Sequence, residues 1–273
     1  MIIAITGSTG GLCSLIAKEL ALKGNDLILV DRNIQKSEAN AAAIKKICPK
    51  AKVETVTCDL SDFNGVKAAA ERLKNSGVEI LLLGAGIYNV PLYKTDVGYN
   101  NVFTVNFLSQ YYMADELAKD CKSLKKVVAI GSVAHNYGKF DIKDVDYSSR
   151  KKPSKIYGNS KRILMAALYE RFFDGNVKLA VAHPGVTLTN MTNHYPKAIN
   201  RLVKIGVKTL FPSPKKAIRA IVNAVYEDCG YLEWIGPSVF GVWGKPKKTA
   251  LKTMTEKESK AIYAAVKNIF ENL

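Results

Sequence analysis

The sequence predicts an α/β protein built on a doubly wound parallel sheet, and three observations carry that reading. Short apolar, largely β-branched runs of four or five residues recur along the first half, each followed by a segment of helical spacing. A glycine-rich turn follows the first of these runs directly. The 273 residues, 48% of them hydrophobic, suffice for one large core, and no repeat or linker divides them, so residues 1–273 are expected to form a single domain.

Taken in order, Ile2 to Ile5 read as a strand buried on both faces. Gly7, Gly10 and Gly11 then open a helix marked by Leu12, Leu15, Ile16, Leu20 and Leu22. Strand, glycine turn and helix in that order make a phosphate cradle, because bare backbone admits a pyrophosphate and the helix start offers free N–H groups. Leu27 to Val30 form a second strand, and a helix from Ile34 to Ile47 stops before Pro49. Val53 to Thr57 is the third strand, Asp62 to Leu73 a helix, and Ile80 to Leu83 the fourth strand. A long helix is expected over about 97–119, and a fifth strand over Val127 to Ile130. Another helix opens at Tyr157 and runs to about Phe173. Beyond it, Pro214 to Val225 resumes helical spacing and Leu232 to Ile235 is a last strand. Thr255 and Glu258 form a capping box for a final helix, about 255–273, with Ile262, Val266, Ile269, Phe270 and Leu273 along one face for docking.

In parallel sheets of this kind ligands bind beyond the carboxyl ends of the strands, so the residues there carry the functional reading. Asp31 ends the second strand, where a carboxylate can accept from ribose hydroxyls and would repel a 2′-phosphate. Arg32 beside it could instead grip that phosphate. The residues favour NAD, with NADP as the alternative. Asp59 ends the third strand; Gly84 and Gly86 end the fourth, where backbone could approach a ligand closely. Asn106 sits mid-helix, a weak position for an asparagine, and Gly131-Ser132 follows the fifth strand. Tyr157 and Lys161, four apart, share a helix face, and a neighbouring ammonium favours the phenolate.

Other features narrow the function. A net charge of +16 raises nucleic acid as a partner, but no basic stripe with interleaved aromatics occurs, so the lysines read as a solvated surface. No apolar run approaches the ~18 residues of a membrane span. The first strand starts at residue 2, so no signal peptide is expected. Five scattered cysteines without a CxxC pair point to reduced thiols and a cytoplasmic location. No His, Cys and Asp cluster has metal-ligand spacing.

Together these residues resemble the short-chain dehydrogenase/reductase family, of Rossmann fold, over nearly the whole chain. Thr6-Gly7-Ser8-Thr9-Gly10-Gly11-Leu12 resembles its cofactor motif, and Cys58-Asp59-Leu60 its adenine-side aspartate. Gly84-Ala85-Gly86 stands where the family's central strand meets the cofactor, and His183-Pro184-Gly185-Val186 through Thr189 resembles the turn that touches nicotinamide. Asn106, Ser132, Tyr157 and Lys161 match its catalytic tetrad in order. The resemblance implies a nicotinamide-dependent oxidoreductase that interconverts an alcohol and a carbonyl. Tyr157 would exchange the proton and Ser132 bind the reacting oxygen. Lys161 would bind the nicotinamide ribose and lower the Tyr157 pKa, and Asn106 would hold a relay water. The substrate is expected to be small and apolar, and a homo-oligomer is possible. A cofactor-binding sensor with little turnover is the alternative.

Three departures from the family pattern stand out. Cys13 occupies the place of the third glycine, and Leu83-Gly84 replaces a pair of asparagines. The stretch from Ala134 to Ser154 lengthens the gap between Ser132 and Tyr157, as in the branch resembling retinol dehydrogenases and protochlorophyllide reductases; His135 in it reads as a loop histidine. The segment from about 190 to 211 alternates apolar and polar residues and is expected to be a helical substrate lid.

Overall fold

A computed structural model describes residues 1–185 and 212–273. It contains one sheet of eight strands: β1 (Ile2–Thr6), β2 (Asp26–Asp31), β3 (Val53–Thr57), β4 (Ile80–Leu83), β5 (Lys126–Ile130), β6 (Lys178–Ala182), β7 (Glu233–Val239) and β8 (Trp243–Ala250). Their order is β3-β2-β1-β4-β5-β6-β7-β8, parallel except for the final antiparallel pair. Ala4 of β1 stands between Ile28 of β2 and Leu81 of β4. The chain therefore winds outward in both directions from β1 and β4, and a crevice opens above their carboxyl ends.

Alternation along the strands divides the core into two layers. Ala4, Leu81 and Val127 face the helices Phe63–Lys74, Ser109–Asp120, Pro153–Phe172 and Glu256–Glu271. Ile3, Ile5 and Leu82 face Gly11–Leu22, Ile34–Ile47 and Arg219–Tyr226 on the other side. The final helix docks through Ile262, Val266 and Ile269, which are buried, and the half-buried Phe270, whereas Leu273, expected on the same face, is exposed; Thr255 caps the helix by accepting from the Glu258 N–H at 3.2 Å.

Four differences from the sequence reading have physical reasons. The helix carrying Tyr157 begins at Pro153, a residue suited to the first helical turn. The long helix begins at Asn101, where Asn100 caps it, rather than near 97. It widens into a π-helical turn at Thr104–Leu108 before continuing to Asp120. β8 has no apolar alternation to reveal it, being lysine-rich and mostly exposed; Lys245, Pro246, Lys247 and Lys248 blunt an open sheet edge. The expected lid at 190–211, and with it Val186 and Thr189, lies outside the described residues. Among the described residues no helix is long and apolar enough to cross a membrane.

Candidate active site

The glycine turn forms as the motif requires. Gly7 takes φ +67°, a conformation side chains disfavour, and a Cβ there would lie 2.8 Å from the Ala85 Cα. Gly11 begins the following helix, and a Cβ on it would meet nothing within 4 Å, so this corner is open to the cleft. Gly10 caps the helix without any side-chain hydrogen bond, and no acidic residue stands in the first turn. The N–H groups of the helix start are thus available to an anion.

Asp31 departs from its expected role. The residue borders the cleft but is only 2% exposed, and its carboxylate turns into the glycine loop. Oδ2 accepts from the hydroxyls of Ser8 at 2.5 Å and Ser37 at 2.8 Å. Oδ1 accepts from the Thr9 N–H at 3.0 Å and its hydroxyl at 3.1 Å. Four donors fill the roughly four lone-pair sites of a carboxylate, leaving none for a ribose. Ser8 and Thr9 likewise spend their hydroxyls on holding the loop. Arg32 instead projects outward, its side chain 73% exposed, with Nε 3.9 Å from Asp59. The other Asp59 oxygen accepts from the Ser61 N–H and hydroxyl at 2.9 and 2.7 Å, which sets the turn carrying Leu60.

At the end of β4, two of the family departures prove complementary. The Cys13 thiol reaches the Gly84 carbonyl at 3.5 Å, and a Cβ on Gly84 would lie 2.6 Å from that sulfur. The strand end is braced by Thr6, whose hydroxyl bonds Gln110 at 2.8 Å and accepts from the Gly84 N–H at 2.9 Å. Gln110 also donates to the Ala85 carbonyl at 2.6 Å. Burial pushes the Cys13 thiol up to about 12, so it is a packing group rather than a nucleophile.

Ser132, Tyr157 and Lys161 of the expected tetrad line the same cleft, while Asn106 is fully buried and not among its lining residues. Asn106 sits in the π-turn, a helical irregularity that recurs at functional sites. Its side chain grips the Ile87 backbone from both ends, accepting from N–H at 2.8 Å and donating to the carbonyl at 3.0 Å, and also reaches the Ser160 hydroxyl at 3.1 Å. The expected relay role is thereby joined by a clear structural one, fixing the strand β4 exit. Ser132 caps a 3₁₀ turn, Val133–Tyr137, by accepting from the Ala134 N–H at 3.2 Å. Burial pushes the Tyr157 phenol up to about 12, while the neighbouring Ser132 hydroxyl opposes the rise and Tyr88 adds to it.

Lys161 lies on the same helix and is 2% exposed. Its ammonium donates to the Ile130 carbonyl at 2.9 Å. Burial draws its pKa down to about 8, with Cys13 opposing. The expectation that Lys161 lowers the Tyr157 pKa is not what this geometry displays: the opposing pull on the phenol comes from Ser132. Tyr88, which the sequence reading passed over, stands edge-on to Tyr157 with ring centroids 5.4 Å apart. An aromatic two residues past Gly86 is a faint signal, since no spacing rule singles it out.

Gly7, Thr9, Gly11, Leu12, Arg32 and Asp59 line one end of a cleft of about 840 Å³. Gly84, Ala85, Gly86, Ser132, Tyr157 and Lys161 line the rest of it, with Pro184 and Gly185. Gly185 takes φ +73°, and its N–H donates to Nδ1 of the buried His183 at 3.2 Å. The residues present therefore fit an extended dinucleotide: an anion cradle without side chains at one end, and a phenol and ammonium at the other.

Comparison with known proteins agrees. Residues 1–200 match the family model for short chain dehydrogenase. Retinol dehydrogenase 12 of Mus musculus is 30% identical over 202 residues, covering 71% of this chain and 63% of that protein. Human polyprenol dehydrogenase is 25% identical over 272 residues, covering 95% of this chain and 78% of that one. The chain thus spans under two thirds of the mouse retinol dehydrogenase. A short-chain dehydrogenase from Sphingobium yanoikuyae in complex with NADPH superposes with a TM-score of 0.63 at 19% identity, covering all of this chain and 95% of the other. One from Burkholderia phymatum in complex with NAD gives 0.62 at 20% identity, covering 83% and 86%. The family match over residues 1–200, on the fold and cleft just described, makes this chain a member of the short-chain dehydrogenase/reductase family of oxidoreductases.

Proposed function

We propose that the protein is an NADP(H)-dependent oxidoreductase that interconverts an apolar alcohol and its carbonyl, with Tyr157 as the proton carrier. The observation that carries this reading is the convergence of Ser132, Tyr157 and Lys161 on the same cleft that the glycine turn lines. When bound, the nicotinamide supplies or takes the hydride. In the direction of reduction the Tyr157 phenol gives its proton to the carbonyl oxygen, and the Ser132 hydroxyl stabilises the charge developing there. Lys161 presents an ammonium on the same helix face for the nicotinamide ribose.

The cofactor choice follows from the second strand. The sequence alone favours NAD through Asp31. With that carboxylate saturated inside the loop, the exposed Arg32 is the group placed to meet a 2′-phosphate. Ile87, Tyr88, Val90, Pro91 and Tyr93 make an apolar wall beside Tyr157, which suits a hydrocarbon substrate. The names retinol and polyprenol dehydrogenase, borne by relatives, support that class.

Tyr157→Phe tests the reading. Turnover of an aldehyde panel with NADPH should fall by ~10²-fold or more, as for loss of a positioned acid–base group. NADPH affinity by calorimetry should stay within a few-fold. Retained turnover would remove Tyr157 from the chemistry.

A further inference from the structure

The catalytic hydroxyl is anchored from behind by a residue outside the tetrad. His135 is fully buried one 3₁₀ turn beyond Ser132. Its Nδ1 lies 2.7 Å from the Ser132 carbonyl oxygen, and its Nε2 2.6 Å from the Thr253 hydroxyl. A carbonyl only accepts, so Nδ1 carries the hydrogen and Nε2 accepts from Thr253.

Thr253 is itself fixed. Arg162, 8% exposed, donates to the Thr253 carbonyl at 2.9 Å and to the His135 carbonyl at 3.3 Å. It also grips Glu258 with both arms, at 2.6 and 2.5 Å. The Trp234 ring stands edge-on to the imidazole, centroids 5.4 Å apart. A leucine or phenylalanine would fill this space without the cost of burying two polar nitrogens. What the imidazole adds is a second hydrogen bond on the main chain of Ser132, beside the 3.1 Å bond from its own N–H.

We propose that His135 is a positioning residue, which holds Ser132 in register with Tyr157 through its Nδ1–H while Thr253 and Arg162 brace the ring. The proposal rests on the reading of Ser132 and Tyr157 as the reacting pair. The charged and titratable groups facing His135 are Arg162, Glu258 and His183; those facing Tyr157 are Ser132 and Tyr88. Burial keeps His135 below its usual range, so it stays neutral across physiological pH and its bonds to Ser132 and Thr253 persist there.

Two substitutions separate the two ring nitrogens. The amide of His135→Asn overlies Nδ1 and keeps the donor to Ser132; that of His135→Gln overlies Nε2 and keeps the bond to Thr253. Assayed with NADPH and decanal, and with NADP and decanol in reverse, His135→Gln should lose about tenfold or more in kcat, since misplacement near 1 Å can cost ~10². His135→Asn should recover most of that loss. The climb of decanol oxidation with pH should shift upward in the Gln variant, as Tyr157 loses the downward pull of Ser132, and return in the Asn variant. NADPH affinity should hold in both.

A role in packing alone reverses the order, because Gln keeps more of the ring's volume, and leaves the pH profile unmoved; that result overturns the proposal. Nitrogen NMR of the wild type gives an arm independent of any substrate. The chain has three histidines, and His135 should show hydrogen on Nδ1 and titrate below the usual histidine range. Hydrogen on Nε2 instead also overturns it. Ser132→Ala and Tyr157→Phe in the same assay separate the two failures: if these keep activity, the reading of the reacting pair is what falls.

Discussion

At Asp31 a motif residue has changed its task, and the consequence can be measured. A carboxylate that accepts four hydrogen bonds from Ser8, Thr9 and Ser37 is part of the loop's framework. Asp31→Ala should therefore cost stability, about 2 kcal/mol or more for buried donors left unpaired, without changing the preference between NADH and NADPH. Arg32→Ala should instead weaken NADPH by about tenfold, a charge-assisted bond's worth, and leave NADH nearly unchanged. Calorimetry on both variants decides: a stronger loss of NADH than of NADPH at Arg32 would return the choice to NAD. Tyr157 yields a pH prediction with a definite sign. With its pKa pushed up to about 12, the phenol is protonated throughout the neutral range. Carbonyl reduction, which needs the proton, should vary little between about pH 6 and 9, whereas alcohol oxidation, which needs the phenolate, should climb with pH. Rate profiles in both directions check this; an oxidation rate that is flat over that range would mean that another group takes the proton.

The elements explain why the site stays assembled. The helix Pro153–Phe172 presses against the turn Val133–Tyr137 backbone to backbone: a Cβ on Gly158 would lie 2.3 Å from the Ala134 carbonyl. Helix propensity alone would make Gly158→Ala stabilising by about 1 kcal/mol. The contact outweighs it, because neither partner is a flexible side-chain end, so the variant should lose about 2 kcal/mol or more and shift Ser132. Denaturant titration tests the sign directly, and a gain in stability would show the turn to be free to yield. Strands β1, β4 and β5 could be read from sequence because each is a short, largely buried apolar run. The tetrad could be read because its residue types recur in order at the strand ends. Other features left no such trace. β8 is lysine-rich, mostly exposed and held by pairing to β7, and the π-turn at Asn106 is set by its grip on Ile87. The burial of His135 depends on Thr253, which is 118 residues away. The compensation of Cys13 by Gly84 likewise joins positions 71 apart, so neither residue alone signals it.

Across the whole molecule, charge is the property that no single contact expresses. The net charge is +16 at pH 7 and the isoelectric point is near 9.5. Part of the basic excess is organised. Lys74 meets Glu71, Glu116 and Asp120, and Arg162 meets Glu258. Lys245, Lys247 and Lys248 gather along the edge strand β8, as charges that oppose sheet-to-sheet pairing. Exposed pairs contribute roughly 0–1 kcal/mol each and weaken with salt. Self-repulsion of a strongly charged surface also weakens with salt, and works in the opposite direction. At +16 the repulsion should prevail. Raising sodium chloride from about 20 to 150 mM, which shortens the Debye length to about 8 Å, should then raise the melting temperature at pH 7. Near pH 9.5 the net charge approaches zero and the same addition should have little effect. A melting temperature that falls with salt at pH 7 would mean that the ion pairs outweigh the repulsion, and that the basic surface is more structured than its net charge implies.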